Sequence, residues 1–366
     1  MYRMLKYILE ILLMSAVLAA CDITSMEKYL ITMCLSVLFF FLGRKKRWSA
    51  DAVIVAFLPV MTYLIVGCFN AVISAHVYTT TIKIVVFWLI PLVFAFSLYT
   101  FYGQEMSRIV NAEFFGNCIA YLAINARFLI YYSNVESTFS FAFGIFFLYY
   151  VYKKKWPLCA IAALFMYFTD KRITMLAVIA VLVIMLILWL FRSDRKLAFT
   201  IWGASMVIIQ GYLWLIYSGT FEYYCKGFGL NTNGRVKIYS NVIEWFDKPV
   251  LYLGRGIGIV EKLLESWNIR AFANLHNDLL KFYIELGVIG LFIFLLSYGA
   301  AIYLVERKFG KEKMCIVLAL FVYSMMLFAT DNVSIYILYL IPFYSILFAI
   351  LSSDREIRSK VKDKND

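Results

Sequence analysis

Charged residues are scarce in this chain. They make up 16% of its 366 residues, whereas apolar residues make up 63%. A soluble domain has about a quarter charged and about half apolar residues, so this composition excludes an aqueous globular fold. Long continuous apolar runs such as residues 173–191 exclude a transmembrane β-barrel, whose strands alternate in polarity. The composition predicts an all-α polytopic membrane protein, because helices satisfy their own backbone hydrogen bonds in lipid.

Residues that often bind metals or cofactors are also rare. The chain has two histidines, His76 and His276, and seven cysteines, none of which forms a C-x-x-C pair. The sequence therefore predicts neither a disulfide framework nor a zinc site. No Walker A loop and no D-x-D cluster is present, so we expect no metal and no other cofactor. The net charge of +12 comes from short clusters between apolar runs, which indicates membrane topology and no nucleic-acid partner.

Apolar stretches of spanning length predict about twelve transmembrane helices. They lie near residues 5–21, 29–42, 52–73, 82–102, 113–132, 138–152, 156–169, 172–191, 197–218, 277–304, 314–330 and 333–351. The basic clusters between them would all fall on one side, which the positive-inside rule assigns to the cytoplasm together with both termini. "LAAC" at residues 18–21 resembles a lipoprotein processing box, but we expect an uncleaved first helix.

The predicted organisation has four parts. Residues 1–218 would form helices 1–9, residues 219–276 an extracytoplasmic loop subdomain, residues 277–351 helices 10–12, and residues 352–366 a polar, disordered cytoplasmic tail. An ordered loop of this length is usually functional.

The loop contains "GRVKIYSNVIEWF", residues 234–246, which predicts an amphipathic helix lying on the membrane surface. The helix would end at Lys248 and Pro249. Its apolar face would consist of Ile238, Tyr239, Val242, Trp245 and Phe246.

Several cations fall on the predicted outer side, against the expected bias. "FTDKRIT", residues 168–174, is a tight outer turn that holds Lys171 and Arg172. The pair would either extend to the membrane surface beside Asp170 or bind an anion. Further outer arginines are Arg127, Arg235 and Arg255. Arg255 lies in "GRGIG", which we interpret as a flexible turn.

The tenth predicted helix begins with an unusually polar segment, "HNDLLKFYIELG". Asn277 or Asp278 would cap it, while Lys281 and Glu285 have the i, i+4 spacing of a pair on one face. Glu285 would also fix a neighbouring helix through a buried hydrogen bond. His276 at the outer end is either part of ordinary interfacial packing or a general base beside the arginines.

These segments together resemble the bacterial O-antigen polymerase and O-antigen ligase family. "TDKRIT" is similar to the family's Ser-Arg turn, with Lys171 in place of the serine and Arg172 matching the arginine. "GRVKIYSNVIEWFDKPVLYLGRGIG" resembles the family's Gly-Arg helix and the glycine turn that follows it. "HNDLLKFYIELGVIG" resembles the H-N-x-x-L and E-x-G-x-x-G pattern. The resemblance covers roughly residues 165–300 at motif level, with a GT-C-like topology over the whole chain.

The resemblance implies a metal-independent, inverting glycosyltransferase of the bacterial inner membrane, acting on lipid-linked glycans outside the cytoplasm. It would polymerise O-antigen or capsule repeat units, with an undecaprenyl diphosphate-linked donor and acceptor. Arg172 and Arg235 would bind the diphosphate and His276 would be the catalytic base. Supporting residues would be Lys171, Arg127, Arg255, Asn277, Tyr239 and Glu285. A chain-length regulator and a flippase are the implied protein partners.

Two alternatives to a polymerase remain open. A ligase would transfer the glycan to another lipid or a wall acceptor through the same motifs, for instance in making lipopolysaccharide. A transporter or flippase for lipid-linked sugars would suit twelve spans with both ends inside. It predicts polar groups at the bilayer midplane and an internal repeat, whereas the ionisable residues here gather at the outer face.

Overall fold

The computed structural model describes residues 2–23, 27–43, 48–131, 136–229, 234–246, 252–267 and 275–352. These residues are predominantly α-helical, which confirms the all-α class. The helices are α1 (Tyr2–Ile23), α2 (Glu27–Gly43), α3 (Ala50–Ile73), α4 (Thr79–Tyr102), α5 (Met106–Tyr131), α6 (Phe139–Tyr152), α7 (Trp156–Phe168), α8 (Arg172–Leu190), α9 (Arg195–Tyr217), α10 (Thr220–Gly227), α11 (Arg235–Phe246), α12 (Ile259–Ser266), α13 (Asp278–Phe309), α14 (Lys311–Phe328) and α15 (Ile337–Ser352).

A helix is present at each of the twelve positions predicted from apolar runs. Six described helical segments are long and apolar enough to cross a membrane: Met4–Asp22, Ala50–Ile73, Thr79–Ala126, Arg172–Leu190, Arg195–Tyr217 and Asp278–Phe309. Thr79–Ala126 contains α4 and the part of α5 up to Ala126. The protein is therefore a multi-helix membrane protein. The count of twelve spans, the sidedness and the four-part division stay predictions, and residues 353–366 of the expected tail lie outside the described part.

Burial divides the bundle into central and outer helices. α15 is buried along its whole length, and most of α14 is buried as well. Helices α8 and α9 instead expose large apolar side chains, including Leu176, Trp189, Val207 and Trp214. Exposed apolar faces of this kind fit a lipid environment, because lipid tails are as apolar as the side chains.

Helices α10, α11 and α12 lie at one end of the bundle, which we call the site end. This end also contains the α7–α8 turn, the start of α13 and residues 329–336 between α14 and α15. The apolar face predicted for α11 is buried at Ile238, Tyr239, Val242 and Phe246, while Trp245 is exposed. The helix packs on α9, and its position on the membrane surface stays a prediction. The proposed helix end at Lys248 and Pro249 lies outside the described residues.

The "GRGIG" region packs against a break in α13 and hydrogen-bonds the backbone there. Gly287 has φ 72° and ψ 177°, so the helix is interrupted there. The carbonyl groups of Ile284 and Glu285 accept hydrogen bonds from the Arg255 and Gly256 amides, at 2.9 and 3.0 Å. Backbone groups freed by a helix break inside a membrane need such partners. This segment is thus an anchored structural element, and its interpretation as a flexible turn is wrong.

Gly254→Ala is expected to destabilise the protein by about 2 kcal/mol, as overpacking of a tight contact does. A Cβ at Gly254 would lie 2.0 Å from the Glu285 carbonyl oxygen, which is backbone and cannot move aside easily. Thermal unfolding of the purified protein in detergent measures the change. Gly211→Ala is the matched control, because a Cβ there meets nothing within 4 Å. Equal melting temperatures for the two variants would contradict the close packing described.

Candidate active site

A tight turn joins α7 to α8 and carries the first predicted cations. Asp170 in this turn has a left-handed backbone with φ 43°, and α8 begins at Arg172. The Lys171 ammonium lies 3.1 Å from Asp331 Oδ2 and 3.0 Å from Glu136 Oε1. The carboxylates that balance Lys171 are therefore Asp331 and Glu136, instead of the Asp170 expected from the sequence.

Arg235 reaches the same region from the start of α11. Its Nη1 donates a hydrogen bond of 2.8 Å to the carbonyl of Thr330. Arg172 and Arg235 both line a cavity of about 370 Å³. Its other lining residues are Glu136, Asp170, Lys171, Ile173 and Asp331. Neither guanidinium is ion-paired with a described carboxylate, so both retain donors for an anion, which arginine binds through two parallel hydrogen bonds.

His276 contacts this cluster from the start of α13. Its Nδ1 lies 3.2 Å from Asp331 Oδ1, and its side chain is 33% exposed. The backbone at His276 has φ 54°, which is uncommon for a residue with a side chain. Tyr239 donates its hydroxyl to the His276 carbonyl at 3.0 Å. Burial raises the pKa of Tyr239 to about 12, so this hydroxyl stays protonated and holds the strained segment.

Asn277 caps α13, as predicted. Its Oδ1 accepts a hydrogen bond from the Leu280 amide at 2.9 Å, and its Nδ2 donates to the Tyr212 hydroxyl of α9 at 3.0 Å. The next residue, Asp278, accepts 2.7 and 2.6 Å hydrogen bonds from the amide and hydroxyl of Ser334. The start of α13 is thus fixed on both sides, and the position of His276 follows from that.

Asp331 is the carboxylate at which these groups meet. Besides Lys171 and His276, it accepts hydrogen bonds from the Asn332 amide at 2.8 Å and the Tyr336 hydroxyl at 3.2 Å. Burial alone would raise the pKa of Asp331. The hydrogen bond from His276, the Lys171 ammonium and the Asn332 amide outweigh that effect and hold the pKa well below its usual range.

An ionised Asp331 can only accept hydrogen bonds, so the proton on a neutral His276 is on Nδ1. Nε2 is then the basic nitrogen, and no described residue hydrogen-bonds it. A base oriented by a carboxylate, beside two arginines with spare donors, has the chemistry needed to transfer a group away from an anionic leaving group.

Part of the chain matches a known protein family. Residues 157–295 match the family model described as O-antigen ligase. This part of the chain is similar to the O-antigen ligase family. No curated protein and no solved structure matches it. The matched region contains all three motif segments, and the family is one of glycan-transferring membrane enzymes that act on lipid-linked glycans.

Two of the predicted supporting residues, Glu285 and Arg255, lie outside the described lining of the arginine cavity. Glu285 accepts hydrogen bonds from the Tyr63 hydroxyl and from the Gly258 amide, so it fixes α3 and the glycine segment to α13. Arg255 lies in that segment and outside the described lining of the cavity. Arg127 falls in α5, and its side chain is outside the described part of the structure.

The expected Lys281–Glu285 pair is also replaced by another contact. Lys281 forms its ion pair with Glu261 of α12, because the two helices pack there. The i, i+4 spacing allowed a pair on one helix face, but a closer carboxylate from a different element takes the ammonium.

Asp331 is the residue that the sequence reasoning missed. It follows α14 in "ATDNVSIY", outside both the motif segments and the matched region of the O-antigen ligase family. One feature of the sequence could have indicated it. Asp331 is a single carboxylate in the short connection between the last two predicted helices, on the same predicted side of the membrane as the outer cations. Among the described residues no group of three His, Cys, Asp or Glu side chains is arranged so that it could hold a metal ion.

Proposed function

We propose that this protein is a polymerase of surface polysaccharide repeat units. It transfers the growing glycan from undecaprenyl diphosphate to the next lipid-linked repeat unit, at the extracytoplasmic face of the inner membrane. The reaction is metal-independent and inverts the anomeric configuration. A flippase that supplies repeat units and a chain-length regulator are its proposed partners.

One observation carries the proposal: Arg172 and Arg235 line one cavity beside a His276–Asp331 pair. The two guanidiniums come from helices far apart in sequence, yet both have donors available for an anion. A diphosphate is a suitable ligand, because the planar fork of arginine matches phosphate oxygens. The family match to residues 157–295 supports a lipid-linked glycan as the molecule that carries it.

The proposed chemistry is a single displacement. The acceptor hydroxyl oxygen bonds to the anomeric carbon of the donor sugar, and His276 Nε2 takes the hydroxyl proton. The bond between that carbon and the phosphate oxygen breaks, and the diphosphate leaves with the electron pair. Arg172 and Arg235 stabilise the charge that develops on the leaving oxygen.

Arg172→Ala and Arg235→Ala are each expected to lower glycan transfer by about 10²-fold, the usual effect of removing one donor to a developing charge. Each variant would be expressed in host cells that lack the native gene, and the lipid-linked glycans would be extracted and sized. We expect single repeat units to accumulate and long chains to be lost. Arg192→Ala is the matched control, because Arg192 follows the other end of α8 and is exposed.

Other glycan profiles would favour a different function. Long lipid-linked chains that accumulate without a final acceptor would indicate a ligase, the activity named in the description of the matching family. Repeat units retained on the cytoplasmic leaflet would indicate a transporter. A profile identical to wild type in both arginine variants would exclude the cavity as the site.

A further inference from the structure

A second cavity lies next to the segments that carry His276 and Asp331. It has a volume of about 310 Å³, within the range of small-molecule sites. Leu275 and Asn332, the chain neighbours of His276 and Asp331, both line it. The backbone amide of Asn332 donates a hydrogen bond to the Asp331 carboxylate, and the same residue lines the second cavity. The two cavities therefore share one structural wall.

The side-chain amide of Asn332 indicates that the second cavity binds a ligand. The residue is 5% exposed, and its Nδ2 is buried with no hydrogen-bond partner among the described residues. An unpaired buried amide is unfavourable, because it has lost water without gaining another acceptor. A ligand that presents a hydroxyl or carbonyl oxygen in this cavity would supply the missing acceptor.

The charges of the second cavity differ from those of the first. Its described lining contains two ion pairs, Lys281 with Glu261 and Lys83 with Glu265, and includes no arginine. Asp278 adds a further carboxyl group. With its ammonium groups paired to carboxylates, this cavity favours a neutral or zwitterionic ligand over a diphosphate.

Apart from Thr80, the remaining described lining is apolar. It includes Ile84 and Phe87 of α4 and Val260 and Leu264 of α12. Sugars have apolar C–H faces together with hydroxyl and amide groups at their edges. A pocket with apolar walls and a few fixed polar groups at one side suits that shape.

We propose that the second cavity binds the saccharide of the acceptor, through Asn332 and the Lys281–Glu261 pair. This inference rests on the proposed function, because it needs an enzyme that joins two glycans. The donor diphosphate then occupies the arginine cavity, and the acceptor saccharide extends from the second cavity past Leu275, so that its reacting hydroxyl reaches His276.

The test measures binding to the two cavities separately. The acceptor probe is the host's repeat unit attached to an alkyl monophosphate, which lacks a diphosphate leaving group and so cannot act as donor. Calorimetry on purified protein in lipid nanodiscs gives its Kd. Asn332→Leu is expected to weaken this binding about tenfold, because a buried group that hydrogen-bonds the ligand is lost. Binding of the undecaprenyl diphosphate-linked repeat unit should change less than about twofold.

Two further variants control for packing. Asn117→Leu removes another fully buried asparagine, in α5, which lines neither cavity, and should leave acceptor affinity at the wild-type value. Leu264→Trp fills the cavity from α12 and should weaken acceptor binding at least as much as Asn332→Leu does. This second variant guards against a folding defect specific to Asn332→Leu. Melting temperatures confirm that each variant is folded.

Several results would overturn the inference. Wild-type acceptor affinity in Asn332→Leu and Leu264→Trp would show that the cavity does not hold the sugar. Weakened donor binding in place of acceptor binding would assign the cavity to the donor. Transfer activity of the wild-type protein, measured in the same nanodiscs, reports on the proposed function independently of either result.

Discussion

His276→Ala is expected to lower glycan transfer by about 10³-fold while leaving donor affinity nearly unchanged. A positioned general base contributes about 10²–10⁴ to rate. The Nδ1 of His276 is engaged by Asp331 at 3.2 Å, so its Nε2 is available to accept the proton of the acceptor hydroxyl. The two arginines remain in the variant, and the diphosphate should still bind. Single-turnover rates and donor Kd, measured separately, give the two quantities.

Two other variants make the result specific. His276→Gln keeps a side chain that can donate to Asp331 but supplies no base, so its rate should fall as far as that of the alanine variant. His76→Ala removes the other histidine, which stacks near Tyr78 at 6.0 Å between ring centroids and belongs to neither cavity. His76→Ala should transfer glycan at the wild-type rate. A His276→Ala rate within tenfold of wild type would exclude the base role.

The helices were predictable from the sequence because a membrane imposes one rule on the whole chain. Any apolar run of sufficient length must be helical in lipid, whatever its neighbours are. Arg172 and Arg235 were detectable for a related reason, since cations on the predicted outer side conflict with the usual distribution of charge. Both signals are properties of a short segment and need no knowledge of packing.

The partners of these residues were not predictable, because they depend on contacts between distant segments. Lys171 lies beside Asp170 in sequence, but it pairs with Asp331, 160 positions away. Lys281 was expected to pair with Glu285 one turn further along α13, and it pairs with Glu261 of α12 instead. A helix face shows which pairs are possible, and only the packing of several helices selects among them.

The "GRGIG" segment illustrates a second limit. Glycines between helices are usually associated with flexibility, yet Gly254 and Gly256 are buried against α13 and α3. Their function is to allow backbone to approach backbone where α13 is broken at Gly287. The sequence shows the glycines of the "GRGIG" segment and Gly287 of α13. Only the three-dimensional structure shows that α13 is interrupted at Gly287 and that the two segments pack together there.

Asp331→Asn is expected to lower the rate of transfer on the order of 10³-fold without weakening donor binding. Replacing a carboxylate beside a base histidine by an amide favours the wrong tautomer, as it does in serine protease triads. An amide Nδ2 at position 331 can donate to His276 Nδ1, which leaves Nε2 protonated and no longer basic. The same change removes a negative charge from the cavity that holds Arg172 and Arg235. Donor affinity should therefore stay constant or rise while the rate falls.

Asp170→Asn separates these two effects. It removes a carboxylate from the same cavity, but Asp170 makes no described contact with His276. The variant should reproduce any gain in donor affinity without the loss of rate, as measured by Kd and single-turnover kinetics on both proteins. If Asp331→Asn weakened donor binding and lowered the rate in equal proportion, Asp331 would act by shaping the anion site. A rise in donor affinity together with a fall in the rate of transfer is expected only when the Asp331 carboxylate acts through His276. A change in the shape of the anion site alone would not improve donor binding.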